Sequence, residues 1–446
     1  MKDLHGLMTS SNSARSVEAY GRALKVFNTY LGDPLAIIDQ ALAADPGFIM
    51  GHVFRAHVLV SMWEKSVLPQ LHRSLEALRP LQLRGNHRER WHIRALEQWA
   101  GGDWNGARET FDRLLAEYPR DLLALQSGHL ADFYHGDRDS LRGRIARVLP
   151  AWSADDPGYG YLLGMLAFGL EECGNYGAAE EYGLRALDLD PNDSWAHHAV
   201  IHVMEMQARQ REAIAFAEGR QQHWAQADNG FRFHNWWHLA LFHLDQDDTS
   251  AALRVYDQGV RSDPSGIQLM MLDAAALLWR MHLRGVDVGQ RWEELAQHYE
   301  NDGEGGFYAF NDVHAVMAFA ATGRTAALSE RLAQMRLAAS RVNSNAAMAQ
   351  RVGLPIARAF EAFAQQRHSD AVALLLPVRH RAHEFGGSHA QRDIVQRTLI
   401  ESAIRAGEKS LAVALCNERV FLKPECPFSR GLLGRANEAV RQANVA

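Results

Sequence analysis

Cysteine is scarce: among 446 residues only Cys173, Cys416 and Cys426 carry thiols. No Cys-x-x-Cys pair exists, so neither a disulfide framework nor a zinc ribbon is expected, and a reducing compartment, the cytoplasm, suits the chain. No run of Lys and Arg makes a stripe that could neutralise a phosphate backbone, and the net charge is only −6. Nucleic acid is therefore not an expected partner. No apolar stretch is long enough to span a bilayer, which leaves out a membrane role. The opening MKDLHGLMTSSNSARS carries Asp3 and lacks an apolar run of signal-peptide length, so export is not expected. Gly-Lys-Ser/Thr, Gly-x-Ser-x-Gly and His-Glu-x-x-His are absent as well. Those absences remove the Walker phosphate loop, the strand-borne serine nucleophile and the familiar zinc-protease helix.

What is present is order at long range. With 47% apolar and 22% charged residues the composition is globular, and the length exceeds what one ordinary core covers, so repetition is the first thing to test. Pro46, Pro119, Pro191 and Pro264 recur every 72 or 73 residues, twice a unit of about 36 residues. Twelve positions before the last three stand Ala107, Ala179 and Ala252, and four positions before all of them Leu42, Leu115, Leu187 and Val260. This spacing lays one apolar stripe along a helix that each proline then ends. Midway the chain breaks again, at 80–85, at Asp156-Pro157-Gly158 and at Ala227-Asp228-Asn229-Gly230. The unit is a helical hairpin, and no strand-like alternation competes with it.

The hairpins resemble the tetratricopeptide repeat. Trp91 and Trp236 stand 28 residues before Pro119 and Pro264, where that motif has its first aromatic, while Ala95, Ala167 and Ala240 replace its central glycine. The fold class expected is all-α, a right-handed superhelix of tetratricopeptide-like hairpins running through 1–446, with the best-matching repeats in 88–264 and divergent hairpins in 265–446. The segments DSWAHHAVIHVMEMQAR, FHNWWHLALFHLDQDD, LLWRMHLRGVDVGQRW, FNDVHAVMAFAATG and GGSHAQRDIVQRTLI also resemble, in that order, the tetratricopeptide repeat protein 38 family. That resemblance implies a closed or strongly curved superhelix and supplies no reaction.

In such repeats the first helix of each pair lines the concave side and meets ligands. The histidines follow that division: His197, His198 and His202 come after Pro191, His234 and His238 after Gly230, His314 after Gly306 and His389 after Gly387. His198, His202 and Glu205 fall at i, i+4 and i+7, and His234 and His238 at i and i+4, so each set shares a helix face. Two such faces can chelate Zn²⁺, Ni²⁺ or Fe²⁺, with Glu205 or Asp312 completing the shell. With 22 histidines in the chain, the competing readings are a buried hydrogen-bonded layer and a pocket for an organic ligand. Trp236 belongs to the core, whereas Trp195 and Trp237 serve equally as packing or pocket wall. Gly386-Gly387-Ser388 leads into a helix whose N-terminus, with Arg392 a turn on, suits a carboxylate or phosphate, unless Ser388 only caps the helix. Asp132, Tyr134, Tyr159 and Tyr161 are further interior candidates.

The function expected is a binding protein that encloses a small anionic molecule or peptide segment, read by His198, His202, Glu205, His234, Trp237, His238, Asp312, His314, His389 and Arg392. The alternative is an enzyme using the same cluster for metal-assisted or acid–base chemistry. The fold requires no cofactor, a divalent metal is compatible with it, and a homo-dimer is compatible too.

Overall fold

The computed structural model describes residues 1–445. It holds twenty-five α-helices, and among the described residues only two isolated bridges, Lys2 to Met8 and Leu31 to Asn229, pair backbone in β fashion. The chain forms two compact units. The first takes in Met1–Val200, Gln222–Arg232 and Val342–Ser344, and the second Ile201–Gln221, Phe233–Arg341 and Asn345–Ala446.

The first unit shows why the sequence breaks where it does. Helices α1 (His87–Ala100) and α2 (Trp104–Glu117) form one hairpin, α3 (Leu122–Tyr134) and α4 (Arg138–Val148) the next, and α5 (Tyr159–Glu172) and α6 (Tyr176–Leu189) a third. Each of the three prolines at 46, 119 and 191 follows a helix end by two residues, as its ring requires. Short side chains start the helices. Asn86 and Glu89 exchange side-chain and backbone bonds in a capping box, and the carboxylate of Asp121 accepts from the Ala124 N–H at 2.9 Å. The second helix of each hairpin is amphipathic, α2 burying Trp104, Ala107, Phe111 and Leu114 on one stripe. The first helix is different, because α3 is buried on every side from Leu122 to Asp132.

A charged chain runs through this unit's core. Arg88 on α1 is gripped by Asp3 at 2.8 Å and Asp121 at 2.6 Å, His92 donates to Asp121 at 2.9 Å, and His57 lies 2.9 Å from His92. Burial raises the pKa of Asp121, but the Arg88 guanidinium and then His92 outweigh it and hold the carboxyl well below the usual range. The Asp3 carboxylate also accepts from the backbone of His5 and Leu7, each at 3.0 Å, which closes the N-terminal turn.

Helix α7 (Ser194–Met206) carries the chain onward. The second unit contains α8 (Arg232–Asp245, from Phe233 on), α9 (Gln268–Leu283), α10 (Ala309–Thr322) and α11 (His389–Arg405), each the first helix of its hairpin. Like α3 they are buried along most of their length. Beyond residue 300 the hairpins continue without the proline register, as in Ala309–Thr322 with Thr325–Ala339 and His389–Arg405 with Lys409–Leu422. Before Pro264 the helix widens into a π turn at Tyr256–Val260, where Gly259 lets Trp236 lie against backbone: a Cβ there would be 2.3 Å from the indole Cγ. Trp236 is packing, as its repeat position suggests.

Candidate functional site

Three first helices of the second unit, with the Ile201–Met206 part of α7 that belongs to it, bring polar groups into one buried interior. From the α7 face come His202 and Glu205, from α8 His234, Trp237 and His238, from α9 Asp273 and Arg280, and from α11 Gln391; all are at most 5% exposed. The i, i+4 spacing on α8 sets the His234 and His238 rings at right angles with centroids 4.9 Å apart, and His202 meets His238 at 4.5 Å. His202, His234 and His238 can each turn a ring nitrogen to within 4.8 Å of the others, close enough for one metal ion to be shared.

A carboxylate stands behind two of these rings. Nδ1 of His238 lies 3.0 Å from Glu205 Oε2, and Nδ1 of His234 lies 2.8 Å from Asp273 Oδ2. An Nδ1–H given to a carboxylate fixes the tautomer that keeps the Nε2 lone pair for a ligand. Burial pushes the pKa of Glu205 up, opposed by Lys423 and His202, and pushes that of Asp273 up, opposed by His234 and by the Gln391 amide. The outer wall is aromatic. Trp237 stacks on His234 at 5.2 Å and 18°, and the Arg280 guanidinium lies over the same indole at 5.4 Å.

Arg280 is 1% exposed and donates to the backbone carbonyls of Ala276 at 2.9 Å and Ala390 at 2.6 Å. Its neighbour Arg397 is instead fully paired, with Asp245 at 2.9 Å and Asp393 at 2.5 Å. Asp393 also holds Arg419, and the Arg284, Arg397 and Arg419 guanidiniums pack around the Phe428 ring.

The remaining expected residues are placed as follows. His198 stands one turn before His202 on the same face of α7, its ring packed among Phe168, Trp195 and Phe231 at 5.2 to 5.3 Å. His314 donates from Nδ1 to the Phe310 carbonyl at 2.8 Å; burial, followed by the nearby Arg280 charge, lowers its pKa to about 4. Asp312 does not join the imidazoles. Its carboxylate accepts from Gly306 N–H at 3.0 and 3.2 Å and faces Arg331, and burial pushes its pKa up to about 7. As the i, i+2 separation from His314 dictates, the two side chains leave α10 in different directions. His389 is the half-buried first residue of α11.

At Gly386-Gly387-Ser388 the helix donors expected to meet an anion are used internally. Ser388 Oγ accepts from Gln391 N–H at 3.3 Å and Gln391 Oε1 accepts from Ser388 N–H at 3.0 Å, a capping box, while Arg392 reaches back to the Gly387 carbonyl. Glycine at 387 is required by packing, because at φ +79° a Cβ would stand 2.6 Å from the Phe310 ring. Asp132 and Tyr134, in the first unit, are structural: Arg108 and Arg144 grip the carboxylate at 2.8 and 2.7 Å, and the phenol stacks on Trp63 at 4.5 Å.

The first helices, expected to line the concave side, are buried along most of their length. A cavity of about 240 Å³ in the first unit lies beside Leu4, His5, Lys25 and Tyr161, and one of about 370 Å³ in the second lies beside Arg209, Glu212 and Glu425, away from the imidazoles. Asp273 and Arg280 were not among the expected site residues. Their signal was legible: they are charges at i and i+7 within QLMMLDAAALLWRMHL, a helix otherwise apolar all round and therefore buried. No helix among the described residues is long and apolar enough to cross a membrane.

No known family model matches the chain. Solved structures with similar hairpins include a human IFIT1 dimer with m7Gppp-AAAA, 13% identical over 97% of this chain and 96% of that one, with a TM-score of 0.44. The APC/C hetero-tetramer Cut9-Hcn1 is 11% identical over 94% and 76%, with a TM-score of 0.40. Yeast Tom70 is 13% identical over 95% and 88%, with a TM-score of 0.34.

Proposed function

We propose that this tetratricopeptide-like chain is a metal-binding protein whose second unit holds a divalent transition-metal ion, of the Zn²⁺ class, through His202, His234 and His238. One observation carries the reading: two of the three converging imidazoles are backed on Nδ1 by a buried carboxylate, Glu205 or Asp273. Metal-ligating histidines are held in that way, and three imidazoles whose nitrogens lie within 4.8 Å of one another could share one ion. The donor set is borderline-soft nitrogen, which suits zinc, nickel or ferrous iron better than calcium or magnesium. The segments that resemble the tetratricopeptide repeat protein 38 family include His202, Glu205, His234, His238, Arg280 and Gln391.

Three imidazoles leave a zinc ion an open position for water or a ligand atom, which is the arrangement of catalytic sites; four close it. Protein purified without a histidine tag, loaded with Zn²⁺ and dialysed, should retain about one ion per chain by elemental analysis. The His202→Ala/His238→Ala double variant should retain none while keeping its helical circular dichroism, and Glu205→Gln should weaken the affinity by about 10- to 100-fold. Native protein that keeps no more zinc than the folded double variant refutes the proposal.

A further inference from the structure

The interior beside the imidazoles contains a cation without a counter-charge. Arg280 is 1% exposed, yet no carboxylate pairs with it: its terminal nitrogens are given to two backbone carbonyls, and its Nε–H is buried with no acceptor. The acids within reach of its field are engaged elsewhere, Asp273 with His234, Glu205 with His238, Asp245 with Arg397, and Asp393 with Arg397 and Arg419. Trp237, whose ring the guanidinium covers, is 0% exposed and its indole N–H also has no acceptor. Buried donors are nearly always bonded, and a buried guanidinium is nearly always paired. Burial, followed by repulsion from Arg397, lowers the pKa of Arg280 to about 10, which still leaves it charged at neutral pH.

We infer that Arg280 and the Trp237 indole N–H receive a small oxyanion, a carboxylate or phosphate group, in the interior of the second unit. An oxyanion has the lone pairs to accept from both donors and the charge to neutralise the guanidinium, and a desolvated charge-assisted hydrogen bond of this kind is a strong one. The site names the chemical class of ligand that would share this interior with the metal proposed above, and it rests on different atoms. Its geometry also relocates the anion site expected at Arg392: the receiving guanidinium comes from α9.

The test uses the whole chain, stripped with chelator, in thermal denaturation with inorganic phosphate or acetate against chloride at matched ionic strength. At a hundredfold excess over Kd, native protein should melt roughly 3 °C or more higher in one of the two oxyanions. Arg280→Met should lose that rise while melting, in chloride, at least as high as the native chain, because it removes an unpaired buried charge. Arg280→Lys should show a reduced rise. A native protein indifferent to both anions, or an Arg280→Met variant that responds as fully as the native chain, overturns the inference. So does a response that appears only with Zn²⁺ and vanishes in His202→Ala/His238→Ala, since the anion would then sit on the ion. Retention of zinc with no anion response, or the reverse, tells the two proposals apart.

Discussion

Acidification should destabilise the protein through His314 by an amount that the structure sets. The imidazole is wholly buried on α10, donates from Nδ1 to Phe310, and titrates at about 4. In the unfolded chain it titrates near its ordinary value of 6.5. Its folded pKa lies below the unfolded one, so the unfolded state takes up the proton first. Stability from this group is complete above about pH 6.5 and is lost as pH falls toward 4. Between about pH 7.5 and pH 5 the linkage amounts to about 2 kcal/mol. His314→Asn keeps a donor for the Phe310 carbonyl and removes the titration. Denaturant unfolding followed by tryptophan fluorescence at both pH values, for native and variant protein, gives the difference of differences. The other buried histidines, such as His129 at about 3 and His135 at about 4, cancel in it. The variant should lose about 2 kcal/mol less on acidification than the native chain. Equal losses, to within about 0.5 kcal/mol, would refute the reasoning.

Two further outcomes follow from packing and charge. Asp121→Asn leaves Arg88 with Asp3 alone in the core and should cost about 3–5 kcal/mol, read from denaturant midpoints. Because Arg88 and His92 hold the Asp121 carboxyl low in spite of burial, its contribution is present above the ordinary carboxylate range and lost only at stronger acid, so the variant's acid unfolding should be flatter there. Gly387→Ala combines a left-handed φ with a Cβ driven into Phe310 and should cost about 2–4 kcal/mol; a melting temperature unchanged from the native one would count against the packing described.

Most of the architecture was legible because proline acts locally. Pro46, Pro119 and Pro191 end helices whatever surrounds them, and the alanines at 107, 179 and 252 mark close helix contacts on one stripe. The pairing of His202 with His234 and His238 was legible in part: i, i+4 spacing fixes which imidazoles share a helix face, but the distance between α7 and α8 is a tertiary quantity. Arg392 shows the opposite failure. A glycine pair before a helix reads equally as an anion cradle or as room for an aromatic ring, and only the position of Phe310 decides between them. Asp312 was misplaced for a related reason. It sits in the first turn of α10, where a carboxylate is drawn to the backbone N–H groups that precede the helix, and Gly306 takes it.

The two buried arginines allow the chain to be compared with itself. Arg88 is 2% exposed and Arg280 1%, so both guanidiniums have given up their hydration. At Arg88 two carboxylates replace the lost water, and their charge overcomes desolvation to raise the pKa above the ordinary value. At Arg280 only backbone carbonyls do so, and desolvation wins. The first arrangement is complete as a piece of core, needs no ligand, and closes the N-terminal turn onto α1. The second costs stability on its own, and it stands on α9 seven residues from Asp273, the acid that orients His234. Charge placed on one helix so that its acid holds an imidazole and its base holds nothing of opposite sign is inefficient as packing; it becomes efficient when a metal ion and an oxyanion are the groups being held.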